Sequence, residues 1–200
     1  AFVFGLNHSS VYLWTLPMFH CNGWTFTWAV TAVGGTHVCL RQTDPAKIFP
    51  AIKDHRVTHM CGAPIVLNMM AHAPDEQKVA FEQTVDVATG GAAPPSAVIS
   101  AMERMGFKVL HLYGLTESYG PATICAWQDE WDDLELDDKA SKMSRQGVRY
   151  PTLFEQAILN PDTMDPVPAD GETIGELMLS SNTVMKGYLK NPTATDAAFA

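Results

Sequence analysis

Residues 85–118 read VDVATGGAAPPSAVISAMERMGFKVLHLYGLTES, and this stretch decides the fold. Val85 to Thr89 is a short apolar run with the composition of a buried strand, closed by Gly90-Gly91-Ala92-Ala93-Pro94-Pro95. From Pro95 the period changes: Val98, Ile99, Met102 and Met105 share one helical face, and Gly106 ends the helix. Phe107 to Leu112 is a second apolar run, which enters Tyr113-Gly114-Leu115-Thr116-Glu117-Ser118. Strand, helix and strand in that order predict a right-handed crossover and parallel pairing.

The same alternation extends toward the N-terminus. Val11 to Leu16 reads as a strand, Trp24 to Val33 as a buried helix, Thr36 to Leu40 as a strand and Val57 to Cys61 as another. Asp44-Pro45 is an N-cap with a first-turn proline, opening a helix that buries Ile48, Phe49 and Ile52. Pro50 removes one helical hydrogen bond and predicts a kink or an early end. A further helix is expected from Pro64 to about Ala71.

Beyond Trp127 the character differs. Seven acidic residues between Asp129 and Asp138 surround Trp131, Leu134 and Leu136. The simplest reading is a solvated surface loop; the interleaved apolar residues keep open packing over a pocket or a homodimer contact. Ala157-Ile158-Leu159 and Gly175 to Ser180 predict antiparallel strands joined by the turn-rich segment from Asn160 to Glu172. The predicted fold class is α/β: a mostly parallel sheet with flanking helices, followed by a small β-rich, distorted barrel-like subdomain. The expected divisions are an α/β part at 1–125, an acidic connecting loop at 126–145, and the β-rich subdomain at 146–200, incomplete at its C-terminal end.

Composition narrows the function classes. Of 200 residues, 46% are hydrophobic and 18% charged, which excludes a disordered tail or a coiled coil. Thirteen Lys+Arg against 22 Asp+Glu leave a net charge of −9, with no basic patch to track a phosphate backbone, so nucleic acid is not an expected partner. No charge precedes Arg41, yet Pro17, Gly23 and Gly34-Gly35 interrupt that region before about 18 apolar residues accumulate, so no membrane span is expected. No basic flank precedes an apolar core as in a signal peptide, and Asn7-His8-Ser9 is read as an ordinary turn rather than a glycosylation acceptor. Cys21, Cys39, Cys61 and Cys125 contain no C-x-x-C spacing, and reduced, buried thiols in a cytoplasmic protein are the expectation. The chain begins in mid-phrase at Ala1-Phe2-Val3 without an initiator Met, as an internal piece of a longer protein would.

If the strands are parallel, the turns that follow residues 16, 61, 89 and 112 lie along one edge of the sheet, where open α/β sheets bind ligands. Small residues there let a ligand approach the backbone. Tyr113 offers a face for stacking a ring, Thr116 a hydroxyl and Glu117 a carboxylate. One carboxylate together with phosphate oxygens suits Mg2+, which keeps its waters and resists an all-protein cage. These groups describe a nucleotide pocket; the alternative is a plain turn in which Thr116-Glu117 caps the next segment. Cys21 beside His20 has no third group to orient a thiol nucleophile. The other six histidines have ordinary structural readings. No G-x-S-x-G, H-E-x-x-H, G-x-x-x-x-G-K-[ST] or G-x-G-x-x-G occurs.

Tyr113-Gly114-Leu115-Thr116-Glu117-Ser118, preceded by Gly90-Gly91-Ala92-Ala93-Pro94, resembles the core motifs of the adenylate-forming superfamily of acyl-CoA synthetases, luciferases and adenylation domains. Leu16-Pro17-Met18-Phe19-His20-Cys21-Asn22-Gly23-Trp24 is similar to the short- and medium-chain acyl-CoA synthetase branch, including methylmercaptopropionate–CoA ligases and plant peroxisomal acyl-activating enzymes. Gly187-Tyr188-Leu189-Lys190-Asn191-Pro192 matches a further family segment, so the resemblance runs from about Val11 to Pro192.

The resemblance implies an AMP-forming ligase that uses ATP, Mg2+ and coenzyme A on a small carboxylic acid. It implies that Tyr113 stacks on adenine with Ala92, Ala93 and Pro94 along the other side, that Thr116 contacts the α-phosphate, and that Glu117 holds the metal. Gly90, Gly91 and Gly114 border the acyl pocket, His20 lies between that pocket and the thiol entry, and Trp24 is an acyl wall or plain core.

The implied substrate is a small aliphatic or thioether acid such as methylmercaptopropionate. An aryl-acid ligase and a non-catalytic nucleotide-binding module are the alternatives. The family's phosphate loop, its ribose-binding aspartate and its C-terminal lysine have no counterpart in these 200 residues, so this segment alone is not expected to complete adenylation at a normal rate. Leu112 stands where many members carry Gln, which leaves one adenine contact open.

Overall fold

The structure is a computed structural model that describes residues 1–199. Among these residues the main sheet is built from β1 (Val11–Trp14), β2 (Thr36–Cys39), β3 (His59–Gly62), β4 (Val85–Thr89), β5 (Phe107–Leu115), β6 (Gly120–Ile124) and β7 (Val148–Arg149). The order across the sheet is β2-β1-β3-β4-β5-β6-β7. All pairs from β2 to β5 are parallel, and β6 and β7 continue the sheet antiparallel. A separate antiparallel pair, β8 (Glu155–Leu159) with β9 (Glu176–Ser180), lies beyond it. The α/β class, the parallel order and the later antiparallel pair therefore match the sequence reading.

Period-2 alternation divides the strand residues between two faces. Leu13, Met60, Val87 and Val109 pack on one side with α3 (Pro45–Asp54), α4 (Pro64–Ala71) and α5 (Ser96–Arg104). Tyr12, Trp14, Cys61, Ala88 and Leu112 pack on the other with α2 (Phe26–Ala32) and the N-terminal Phe4 and Leu6. No helix among the described residues is long and apolar enough to cross a membrane.

Four details differ from the sequence reading, each for a physical reason. The helix opened by Asp44, whose carboxylate accepts the Ala46 amide at 3.0 Å, runs through Pro50 to Asp54. An interior proline costs about 3 kcal/mol, but Ile48, Phe49 and Ile52 are essentially fully buried, and each contributes about 1.5–3 kcal/mol. Burial wins, and the helix does not stop.

Second, the helix expected over Trp24–Val33 is right-handed only in α2; the preceding turn is left-handed and shapes the site. Third, β5 does not end at Leu112 but continues to Leu115 and doubles back as β6.

Fourth, the acidic run is not loop throughout. Leu136–Met143 forms α6, with Ala140 and Met143 buried in the core shared with α5. Asp137 accepts from Ser100 Oγ at 2.9 Å and pairs with Arg104 at 3.2 Å. Leu136, Ala140 and Met143 are spaced i, i+4, i+7, a helical stripe that the surrounding charge disguised.

Among the cysteines, Cys39 is exposed, whereas Cys61 and Cys125 are buried and unpaired. Burial pushes the Cys61 thiol up to about 12, so it is inert near neutrality. The Cys21 side chain lies outside the described set.

Gly147 lets β7 dock on β6. It has φ +80°, and an added Cβ would lie 2.5 Å from the Ile124 carbonyl carbon. Left-handed strain of about 1–2 kcal/mol adds to an overlap of about 1–3 kcal/mol. Gly147→Ala should therefore destabilise the intact protein by about 3 kcal/mol, measured as a fall in the denaturant midpoint.

Candidate active site

Because β1, β3, β4 and β5 are parallel, their carboxyl ends share one edge of the sheet. There the turn after β1, the Gly90-Gly91 turn after β4 and the far end of the β5–β6 hairpin enclose a cavity of about 240 Å³. His20 and Trp24 come from the first, Gly90 and Gly91 from the second, and Tyr113, Gly114, Thr116 and Glu117 from the third. The structure thus brings together eight of the residues singled out from sequence. Ala92, Ala93 and Pro94 follow the glycines but are not among the lining residues; Ala92 and Ala93 are exposed and Pro94 is buried.

Two backbone approaches shape the walls. A Cβ on Gly90 would lie 2.5 Å from the Leu112 carbonyl oxygen and 3.3 Å from the Trp24 indole. A Cβ on Gly114 would collide with the Gly120 carbonyl group, whose carbon would be 2.8 Å away. A bulge between Tyr113 and Gly114 shifts the hairpin register at this point. At the hairpin tip, Thr116–Ser118 form a single 3-10 turn. Ser118 Oγ accepts the Leu115 amide at 3.0 Å and lies 3.0 Å from the Gly120 carbonyl. Sequence reading gave Ser118 and Gly120 no role; the Ser following Thr-Glu is the local signal for this tightening.

The turn after β1 carries the most unusual backbone. Within α1 (Cys21–Trp24), Asn22 and Gly23 have φ/ψ of 46°/50° and 61°/41°, and Trp24 and Thr25 follow at φ 53° and 68°. Left-handed conformation costs roughly 1–2 kcal/mol per non-glycine residue, so three such residues are held against about 3–6 kcal/mol.

Aromatic packing supplies the hold. A Cβ on Gly23 would lie 2.5 Å from the Trp14 ring, so only glycine settles on it. Trp14 is itself fixed by a 2.9 Å bond from Nε1 to His37 Nδ1 and by edge contact with Tyr12. Thr27 Oγ1 adds a bond to the Asn22 carbonyl at 3.1 Å. The result turns the Trp24 indole onto Gly90-Gly91 as a wall of the cavity, which is why it is half-buried there and not on a helix face. His20 is exposed at the mouth, which excludes its alternative reading as a core histidine.

Glu117 is reached from far along the chain. Tyr188 Oη donates to Glu117 Oε1 at 2.7 Å, and the Met185 amide donates to the Glu117 carbonyl at 2.7 Å. The Tyr188 hydroxyl, with the local backbone, holds the Glu117 carboxyl below the usual carboxylate range. The same bond pushes the Tyr188 phenol up. Among the described residues no group of three His, Cys, Asp or Glu side chains could hold a metal ion. A lone carboxylate fits Mg2+ that takes its remaining ligands from phosphates and water. It does not fit zinc, which needs three or four protein ligands.

A family model described as AMP-binding enzyme matches residues 1–189. An acetate–CoA ligase of Humulus lupulus is 52% identical over 199 residues, covering 99% of this chain and 35% of that protein. A peroxisomal acetate/butyrate–CoA ligase of Arabidopsis thaliana is 48% identical with the same coverage, 99% and 35%. The chain therefore spans about a third of the length of these curated relatives. Among solved structures, the N-terminal domain of FACL13 from Mycobacterium tuberculosis is 26% identical with a TM-score of 0.79, covering 98% of this chain and 46% of that one. The o-succinylbenzoate CoA synthetase of Bacillus subtilis, in complex with its acyl-adenylate intermediate, shares the fold with a TM-score of 0.80 at 21% identity, covering 100% and 38%.

The two glycines after β4 should respond differently to a methyl group. Gly90→Ala should lower stability by about 2–3 kcal/mol through overlap with the Leu112 backbone. Gly91, at φ +83° with its nearest contact 3.9 Å away, should lose only about 1–2 kcal/mol from strain. Chemical denaturation of the two variants of the intact protein measures the difference, and equal losses would contradict this geometry.

Proposed function

Since the chain belongs to the AMP-binding enzyme family, we propose that the protein it forms part of joins a small carboxylic acid to coenzyme A through an acyl-adenylate. The observation that carries this reading is the convergence of Gly90-Gly91, Tyr113, Thr116 and Glu117 on a cavity whose other wall is His20 and Trp24. In the first half-reaction a substrate carboxylate oxygen bonds to the α-phosphorus of ATP, the bond to the bridging β-phosphate oxygen breaks, and pyrophosphate leaves. In the second, the thiolate sulfur of coenzyme A bonds to the acyl carbon, the carbon–oxygen bond to phosphate breaks, and AMP leaves. Positioning and electrostatic stabilisation of the crowded phosphate supply most of the rate in such transfers.

In this reading the Tyr113 ring flanks adenine, and Ala92 and Ala93 lie exposed beyond the cavity's edge at Gly91. Thr116 donates its hydroxyl toward the α-phosphate, and Glu117 would hold Mg2+. Bound there, the cation would neutralise phosphate charge. Gly90, Gly91 and Gly114 border the recess for the reacting carboxylate, and His20 stands where the thiol enters.

Trp24 sets the length of the acid. Its indole lies against Gly90-Gly91 as a wall of the cavity, which favours acids the size of acetate, butyrate or methylmercaptopropionate. The names of the two ligases above, acetate and acetate/butyrate, support the aliphatic reading. A benzoate–CoA ligase of Arabidopsis thaliana at 46% identity and a trans-cinnamate:CoA ligase of Petunia hybrida at 44% support an aryl acid as the second reading. Cytosol and peroxisome both suit this chemistry, the latter because several relatives are named as peroxisomal.

Two measurements on the full-length protein test the proposal. Glu117→Gln should lower turnover about 100-fold, as loss of one electrostatic group at a reacting centre does, with a smaller loss of nucleotide binding; unchanged turnover would move the metal to another ligand, and an unaltered protein that binds ATP without any ligase turnover would establish a non-catalytic nucleotide-binding module. Across propionate, butyrate, methylmercaptopropionate and cinnamate, kcat/KM should be highest for the aliphatic and thioether acids, and Trp24→Ala should shift preference toward cinnamate. Cinnamate leading in the unaltered protein would establish the aryl reading instead.

A further inference from the structure

We infer that Tyr188 is a positioning residue for Glu117, fixing through its phenol the carboxylate that the reading above assigns to the metal. The inference rests on that assignment. Glu117 sits on a single turn at an exposed hairpin tip, where its carboxyl meets its own backbone amide and the phenol of Tyr188. The hold comes from 71 residues away, as the 2.7 Å bond from Tyr188 Oη to Oε1. A carboxylate has two oxygens, so the phenol on Oε1 leaves Oε2 to offer to a cation. Partners of this kind, one bond removed from a metal, orient the ligand.

The segment that carries Tyr188 is built as a strap. At one end, the Met185 amide is bonded to the Glu117 carbonyl at 2.7 Å, so the strap crosses the residue it holds. At the other, the Tyr188 amide donates to Thr195 Oγ1 at 2.9 Å, on α7 (Pro192–Ala198). Thr195 Oγ1 in turn donates to the Asn191 carbonyl at 2.9 Å, and Asn191 Oδ1 caps α7 by accepting the Ala194 amide at 3.1 Å. Gly187, at φ +147°, permits the close approach: a Cβ there would lie 2.6 Å from the Thr195 methyl carbon. Residues 187–192 are thus the anchorage of one hydroxyl against one carboxylate.

The test uses the full-length protein with ATP present and Mn2+ as the probe, its binding followed by the enhancement of water-proton relaxation over that of the same Mn2+–ATP solution without protein. Tyr188→Phe removes only the hydroxyl and should raise the Mn2+ dissociation constant about 10-fold, the lower end of the range for outer partners of metal ligands. Turnover should recover at saturating Mn2+ and the melting temperature should stay near that of the parent. Thr195→Val, which loosens the anchor without touching the cavity, should weaken Mn2+ binding in the same direction. In a Glu117→Gln background, Tyr188→Phe should add less than about 2-fold, since residues acting through one another are not additive.

An unchanged Mn2+ affinity in Tyr188→Phe, with Glu117→Gln weakened, would overturn this inference and leave the metal assignment standing. Unchanged affinity in Glu117→Gln would remove the assignment itself. A full Tyr188→Phe effect in the Glu117→Gln background would show that the phenol acts elsewhere, and would also overturn the inference.

Discussion

Backbone meets backbone at two places in the cavity wall where no side chain fits, and the shape of the cavity depends on them. At Gly90 the chain leaving β4 passes so close to the Leu112 carbonyl that a Cβ would sit 2.5 Å from its oxygen. At Gly114 the hairpin arms close on Gly120 in the same way. Protein interiors do not absorb an extra carbon at such contacts without moving their neighbours. Each glycine therefore keeps the β4 turn, the β5–β6 hairpin and the Trp24 wall at one common distance.

The opposite wall is held by a different kind of force. Three non-glycine residues in left-handed conformation are intrinsically unfavourable, and strain of this sort persists only where the surroundings over-determine it. Here the surroundings are Tyr12, Trp14, His37 and Phe26, an aromatic layer beneath the turn, tied by the Trp14–His37 hydrogen bond and by stacking of Tyr12 on Phe26 at 5.1 Å. A relaxed right-handed helix from Cys21 onward would carry the Trp24 indole along its own face. The strained turn instead places a rigid ring against Gly90-Gly91, so a geometric limit on the occupant is built into the main sheet and not into a mobile loop.

Much of this was legible from the sequence, and the boundary falls where local signals stop. The strands at 85–89 and 107–112, the capped helix after Asp44 and the glycine punctuation of the sheet edge all follow from period and turn chemistry within a few residues. Tyr113, Thr116 and Glu117 could be named from their place after a strand, and His20, Trp24, Gly90, Gly91 and Gly114 from the family resemblance of the motifs that hold them. Trp24 and Thr25 carry no local sign of a left-handed turn; only Asn22 and Gly23 do, and the support arrives from Trp14 across the sheet. The helix over Leu136–Met143 had its stripe in plain view but lay within a run of acids. Tyr188 was visible as part of a motif without a partner, because its partner is a tertiary contact that no periodicity encodes. Ala92, Ala93 and Pro94 show the converse: motif adjacency placed them with the glycines, but the cavity lining stops at Gly91.

The proposed transfer at an α-phosphate asks for an aromatic flank, a hydroxyl and a carboxylate beside a walled recess, and the carboxyl edge of this sheet carries Tyr113, Thr116 and Glu117 around one cavity with Trp24. The most direct measurement is a crystal structure of the full-length protein with a non-hydrolysable butyryl-adenylate analogue. The account predicts the purine against Tyr113, the phosphate mimic beside Thr116 and the acyl chain ending at Trp24. An analogue bound away from the Gly90-Gly91 turn, or one whose acyl chain avoids the Trp24 wall, would contradict it.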